Sequence, residues 1–277
     1  MNYFQPNDLN SAFDVLKNNR NLTIAAGCTD LFPITNNMSL DKNILDITNI
    51  KSIKGFEFNN EETKIGSATT WTDIINENLP SCYDMLKACA KEVGSIQIQN
   101  LGTIGGNICN ASPAADSIPC LLALDAKLEL SSINNQRIIP IDEFILGSRK
   151  TRLEQGEILT SIIIPKEKEN GSSSFRKIGA RKYLVISISM VACRILISNN
   201  IIEDISISIG SCSEVAKRIF SIERQLINKN IKEDIFNQVD FSQLNEISPI
   251  TDIRSTQVYR LKAVSYTHLT LPTRSYV

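Results

Sequence analysis

Residues 103–116 read Thr-Ile-Gly-Gly-Asn-Ile-Cys-Asn-Ala-Ser-Pro-Ala-Ala-Asp, a run from which bulky and charged side chains are almost absent. Gly105 and Gly106 carry no Cβ, so their backbone can approach a ligand closely and turn N–H groups toward phosphate oxygens. Thr103, Asn107, Asn110 and Ser112 add side-chain donors nearby. A second segment of the same character, Ile24-Ala25-Ala26-Gly27-Cys28-Thr29-Asp30-Leu31, follows an apolar strand-like run and is expected to lead into a helix. Two such segments suit a ligand that carries a diphosphate. Neither has the Gly-x-Gly-x-x-Gly spacing of a dinucleotide fold or the Gly-Lys-Ser/Thr of a phosphate-binding NTPase, so both of those readings fit poorly.

These segments need a scaffold. Leu9, Phe13 and Leu16 recur at helical spacing and predict an amphipathic helix over residues 7–18. Residues 22–26 and 44–47 read as short strands. Over 54–66 the chain predicts a hairpin, with Phe56 and Phe58 alternating with polar neighbours and a polar turn at 59–62. Helices are expected at 71–76, with Thr70 as cap, and at 83–93. Another is expected at 117–124, where Asp116 stands as N-cap or cofactor contact. A hairpin over 127–130 and 137–141 follows, then a strand at 157–165 that closes the unit. The polar stretch 166–174 reads as a linker. Beyond it, strands at 186–197 and 201–209 joined at Asn199-Asn200 precede a helix over 215–226. The fold class is α+β. A larger unit spans 1–166, in lobes of about 1–53 and 54–166, and a smaller unit of antiparallel sheet plus helices spans 171–263.

Bulk properties remove several function classes. Lysine plus arginine number 29 against 30 acidic residues, so no net field gathers nucleic acid or an anionic membrane. No apolar run approaches the roughly 20 residues that a membrane helix needs, and the first residues lack a signal-peptide pattern. A cytoplasmic location is expected. Seven cysteines, at 28, 82, 89, 109, 120, 193 and 212, form no Cys-x-x-Cys pair and leave an odd count, which points to reduced thiols and no cluster of this chain's own. The one histidine, His268, falls in 264–277, a segment that resembles the translated read-through of a sequencing-library adaptor and is expected to be a non-native tail. Without it no Ser-His-Asp triad or histidine-bound zinc is available, and no catalytic residue or metal ligand is assigned.

At its motifs the chain resembles the flavin-binding subunit of the molybdenum hydroxylases, the family of xanthine dehydrogenase, nicotinate dehydrogenase and aerobic carbon monoxide dehydrogenase. The resemblance spans roughly residues 3–263. It rests on Ala-Gly-Cys-Thr-Asp-Leu ending at Leu31, Thr-Ile-Gly-Gly-Asn ending at Asn107, Ser-Pro-Ala-Ala-Asp-Ser ending at Ser117, and Asp-Ile-Arg-Ser-Thr-Gln-Val-Tyr-Arg ending at Arg260. It implies a two-lobed PCMH-type FAD-binding domain followed by the smaller domain. Such a subunit binds FAD and passes electrons from the 2Fe-2S clusters of one partner subunit to NAD+, while a molybdopterin-bearing partner oxidises a heterocycle such as xanthine. The flavin carries the redox chemistry, and the protein binds, orients and tunes it. Position by position, the resemblance assigns FAD contacts to Ile24, Ala25, Ala26, Gly27, Cys28, Thr29, Asp30 and Leu31, to Thr103, Ile104, Gly105, Gly106 and Asn107, and to Asp116, Leu159 and Lys177. Leu159 would pack on the flavin, and Lys177 would offer a cation to its polar edge. Arg181 and residues 252–260 are expected to shape the second domain. Two other readings stay open: a flavin-free structural or regulatory subunit, and a stand-alone flavin oxidoreductase.

Overall fold

The structure, a computed structural model, describes residues 2–19, 21–31, 42–181, 185–233, 239–240, 244–252 and 254–269. The helix expected after Leu31 and the end of the 264–277 segment lie outside these residues.

Three sheets organise the chain. The first is parallel, in the order β1-β3-β2, from β1 (Tyr3–Phe4), β2 (Leu22–Ala25) and β3 (Asn43–Asp46), with α1 (Leu9–Asn18) between the first two strands. Asp8 caps α1 by accepting the Ser11 N–H at 2.9 Å, and Ala12 and Phe13 turn into a core with Leu45, Ile47 and Ile50.

The second sheet is antiparallel and begins with β4 (Phe56–Phe58) and β5 (Glu62–Gly66), the expected hairpin, whose turn is fastened by the Asn59 side chain accepting the Glu61 and Glu62 N–H groups at 2.8 Å. Five helices then intervene: α2 (Trp71–Asn76), α3 (Asp84–Glu92), α4 (Ile96–Leu101), α5 (Ile104–Asn110) and α6 (Ser117–Ala123). Thr70 and Asp73 form a reciprocal capping box on α2, as Thr-x-x-Asp before an apolar run predicts. The sheet resumes with β6 (Lys127–Ser131) and β7 (Gln136–Pro140). A short helix α7 (Ile141–Phe144) and the small ribbon β8 (Ile145–Gly147) and β9 (Lys150–Thr151) lead to β10 (Ile158–Pro165). The strand order is β4-β5-β10-β6-β7, so β10, the strand expected to close the unit, does so from the centre of the sheet. Its sequence, Ile-Leu-Thr-Ser-Ile-Ile-Ile-Pro, is buried at every position but the last, as a strand with both faces covered should be. Each fully buried isoleucine there contributes about 1.5–3 kcal/mol.

The third sheet is antiparallel, in the order β11-β12-β13-β14, from β11 (Ser172–Ile178), β12 (Ser189–Ser198), β13 (Ile201–Gly210) and β14 (Lys217–Arg218). Asn199 and Asn200 both take positive φ, 52° and 65°, the backbone a tight two-residue hairpin requires. Two expectations are corrected here. The linker is shorter than 166–174, because Ser173 is drawn into β11, its Oγ accepting the Met85 N–H and donating to Ser81 O, both at 3.0 Å. The helix over 215–226 shrinks to α8 (Phe220–Leu226), since Lys217 and Arg218 pair with Ile209 and Ser208 as an edge strand. The last helix, α9 (Gln257–Leu269), runs past the expected boundary at 263, and Val264 is fully buried in the core of the third sheet. Lys168 ties the sheets together, its ammonium 3.2 Å from Asp125 and 3.0 Å from Asp204.

Candidate functional site

The chain leaves β2 at Ala25 and turns. Cys28 adopts the left-handed region, φ 56°, between residues of ordinary hand. Consecutive N–H groups around such a residue point into one concavity, which is an anion-binding arrangement. Among the described residues, the N–H groups of Gly27, Cys28, Thr29 and Asp30 meet no acceptor. Four unspent donors in a row are a poor way to end a strand unless something else satisfies them. Gly27 has no alternative here: a Cβ would stand 1.8 Å from Leu101 O, so the turn lies directly on the 101–102 backbone. The Cys28 thiol donates to Ala26 O at 3.3 Å, and burial pushes its pKa up, which keeps it uncharged beside an anion.

The second glycine segment behaves differently from its expected role. It is not an open loop but the first turn of α5. Thr103 caps that turn by accepting the Gly106 N–H at 3.1 Å. The Ile104 N–H donates to Thr69 O at 3.0 Å and the Gly105 N–H to Ser67 O at 2.8 Å. Those amides are therefore committed within the chain, which corrects the reading of Gly105 and Gly106 as phosphate-facing donors. Gly105 is needed for packing, because a Cβ would come within 2.6 Å of Ser67. Gly106 is exposed, and a Cβ there would reach toward Ala26 at 3.9 Å. What Gly106 supplies is space between the two segments. Asn107 accepts the Ser117 hydroxyl at 2.7 Å through its Oδ1, while its Nδ2 donates to none of the described residues.

Asp116 and Lys177, distant in sequence, meet. The Lys177 ammonium lies 2.6 Å from Asp116 Oδ2, and Ser187 donates to Oδ1 at 2.6 Å. The side chains of the ion pair are 7% and 8% exposed, so Lys177 is no surface charge. Burial pushes the Asp116 carboxyl above the usual carboxylate range, against Lys177 and Ser187, which favour its charged form. Asp116 precedes α6 but its side chain makes no cap, a second correction, since the carboxylate is spent on β11. Leu159 is 3% exposed on β10 and packs within the large core, so the flavin-packing expectation for it has no exposed surface to act through. A cavity of about 550 Å³ between α1 and the second sheet is lined by Lys54, Lys64, Glu129 and Ser161 among others, and by none of the residues expected at the site.

Residues 1–167 match the family described as the FAD binding domain in molybdopterin dehydrogenase, and residues 156–267 the CO dehydrogenase flavoprotein C-terminal domain. The chain belongs to the flavin-binding subunits of the molybdenum hydroxylases.

This flavoprotein subunit is therefore an oxidoreductase component. It is 29% identical to the glyceraldehyde dehydrogenase medium chain of Sulfolobus acidocaldarius over 264 residues, covering 95% of this chain and 93% of that one. It is also 29% identical to the xanthine dehydrogenase FAD-binding subunit of Escherichia coli O157:H7, with 95% and 91% covered. In fold it is similar to a chain of the reconstituted CO dehydrogenase from Oligotropha carboxidovorans, at a TM-score of 0.86, 22% identity and coverage of 97% and 94%. The two-lobed flavin fold followed by a smaller sheet-and-helix domain is thus the architecture present.

Sequence reasoning missed Ser187, which bonds Asp116, and Arg149, whose guanidinium lies 2.8 Å from Asp30. Ser187 lies in an alternating Ile-Ser-Ile-Ser stretch that reads as strand, and Arg149 in a hairpin turn, where a positive φ at arginine leaves no compositional mark. Within the segment expected to shape the second domain, Arg260 is 2% exposed and bonds Ile188 O, Ser211 O and Asp252. All seven cysteines are free thiols, and among the described residues no group of histidine, cysteine or acidic side chains is arranged to hold a metal.

Proposed function

We propose that this chain holds FAD with its diphosphate on the N–H groups of Gly27, Cys28, Thr29 and Asp30, and that it passes electrons from the 2Fe-2S subunit of a larger complex to NAD+. The row of unspent amides carries this reading. It supplies donors without charge that meet no acceptor among the described residues, which is what a diphosphate requires. Gly106 leaves the gap through which the cofactor would run, and Asn107 keeps an amide donor beside it. Ile24, Ala25, Ala26 and Leu31 frame the turn, while Thr103, Ile104 and Gly105 hold α5 against it. Asp116 and Lys177 would meet the cofactor as a pair, so that Lys177 offers a cation already fixed in place by a carboxylate. When bound, FAD supplies two-electron and one-electron redox chemistry that no side chain provides.

A heterocycle such as xanthine, oxidised on a molybdenum-cofactor partner, is our proposed source of electrons. The E. coli xanthine dehydrogenase subunit, similar along almost the whole length, supports it. NAD+ as acceptor is what the family resemblance implies. We place the flavin domain at 1–166, the second domain at 171–263, and the protein in the cytoplasm, in keeping with free thiols and with the absence, among the described residues, of a helix long and apolar enough to cross a membrane.

The test is the absorbance spectrum of the purified chain, identification of any released flavin, and anaerobic titration with NADH. Bound FAD bleached by NADH is expected. A colourless chain that FAD does not reconstitute would overturn the reading, and flavin that NADH leaves oxidised would remove NAD+ as the acceptor.

A further inference from the structure

The turn between β8 and β9 reaches the edge of the amide row. Arg149 there takes a left-handed backbone, φ 59°, which is strained for a residue with a side chain and persists only where its surroundings hold it. Two sets of contacts do so. Its N–H donates to Ala111 O at 2.9 Å, and its guanidinium lies 2.8 Å from Asp30 Oδ2 while also touching Asn110 Oδ1. Asn110 donates through Nδ2 to the same Asp30 oxygen. Two segments remote in sequence thus converge on a carboxylate of a third. That carboxylate belongs to the last residue of the row.

The position is electrostatically awkward. An uncompensated carboxylate beside a diphosphate repels it, and the repulsion grows as a bound ligand displaces water. Arg149 brings the opposite charge to Asp30. In the free chain the pair stabilises little, since the two side chains are 47% and 50% exposed and water screens them. The contact gains weight only when an anion covers it.

Resting on the diphosphate reading above, we propose that Arg149 is a positioning residue for FAD: it neutralises Asp30 and pins the 27–30 turn to the end of α5, so that the amides meet the diphosphate with no net repulsion. The test is fluorescence titration of FAD into the deflavinated full chain, for the wild type, Arg149→Gln, Asp30→Asn and the double variant, with melting temperatures taken without FAD. Arg149→Gln should weaken FAD binding about tenfold, in line with one charge-assisted contact, and leave melting within about 2 °C. Asp30→Asn should bind at least as well as wild type. The double variant should recover to within about threefold of it, since removing the carboxylate removes the need for its partner. Unchanged binding by Arg149→Gln overturns the proposal, as does a double variant no tighter than Arg149→Gln, which would leave the neutralised carboxylate without a role. A wild-type chain that takes up no FAD overturns the diphosphate reading itself, and this inference with it.

Discussion

Residues 24–31 and 103–107 are built from the same kinds of residue, small and polar around glycine, yet the fold uses them in opposite ways. The first leaves four consecutive amides without an acceptor among the described residues, around a left-handed cysteine. The second spends its amides on Thr69, Ser67 and Thr103 and becomes a helix. Glycine in both marks a close approach, but the thing approached differs: at Gly27 and Gly105 it is the backbone of another stretch of this chain or a residue on it, and at Gly106 it is the capping Thr103 Oγ1, with Ala26 beyond. A glycine-rich run therefore announces that backbone must come near something. Whether that something is a ligand depends on where the N–H groups go.

Substitutions at the glycines separate these roles most sharply. Gly27→Ala should have the largest effect, because its Cβ cannot coexist with Leu101 O at 1.8 Å. A loss of about 3 kcal/mol or more is expected, together with loss of FAD, and an undiminished melting temperature would show that the segments do not rest on each other. Gly106→Val should instead remove FAD at a stability cost of only about 1 kcal/mol, since the position is exposed and only the capping Thr103 Oγ1, at 2.9 Å, must give way. Normal flavin content in that variant would place the cofactor elsewhere. Thr103→Ala should cost about 1 kcal/mol through the lost cap but change FAD affinity by no more than about threefold. A complete loss of flavin there would mean that the second segment's amides do reach the phosphates.

The smallest effect concerns acid. Asp46, at the end of β3 beside the first segment, is held below the usual carboxylate range: burial opposes its charge, but hydrogen bonds from Thr48, Tyr3 and Gln5 outweigh it. A lowered folded-state pKa contributes stability above the ordinary value near 4, and that contribution disappears as pH falls through the folded value. The wild type should therefore melt higher than Asp46→Asn at neutral pH, by the equivalent of about 1 kcal/mol or less for a partly exposed group, and the gap should close on acidification. A gap independent of pH would show that the carboxylate's charge is not what matters.

Local signals carried much of the fold. Thr70 with Asp73, the Asn199-Asn200 turn and the spacing of Leu9 and Phe13 each act within a few residues, so the sequence displays them directly. The helix α5 was hidden because two adjacent glycines each cost about 1 kcal/mol in a helix, and only contact with Ser67, some forty residues earlier, makes glycine the fitting residue. The site was legible to the same extent. Both segments were visible as places of close approach, whereas the partnership of Asp116 with Lys177 and of Asp30 with Arg149 depends on strands and turns brought together by the whole fold.

The central position of β10 bears on how the molecule comes to exist. Its register pairs Ser161 with Gly66, about a hundred residues earlier, so a growing chain presents β5 and β6 with open edges until the last strand of the sheet is made. Such non-local closure is slow, and exposed edges in the interval invite pairing with other chains. Any truncation upstream of residue 158 would leave that vacancy permanent, which makes the five-stranded sheet, rather than either glycine segment, the element on which recovery of soluble protein depends.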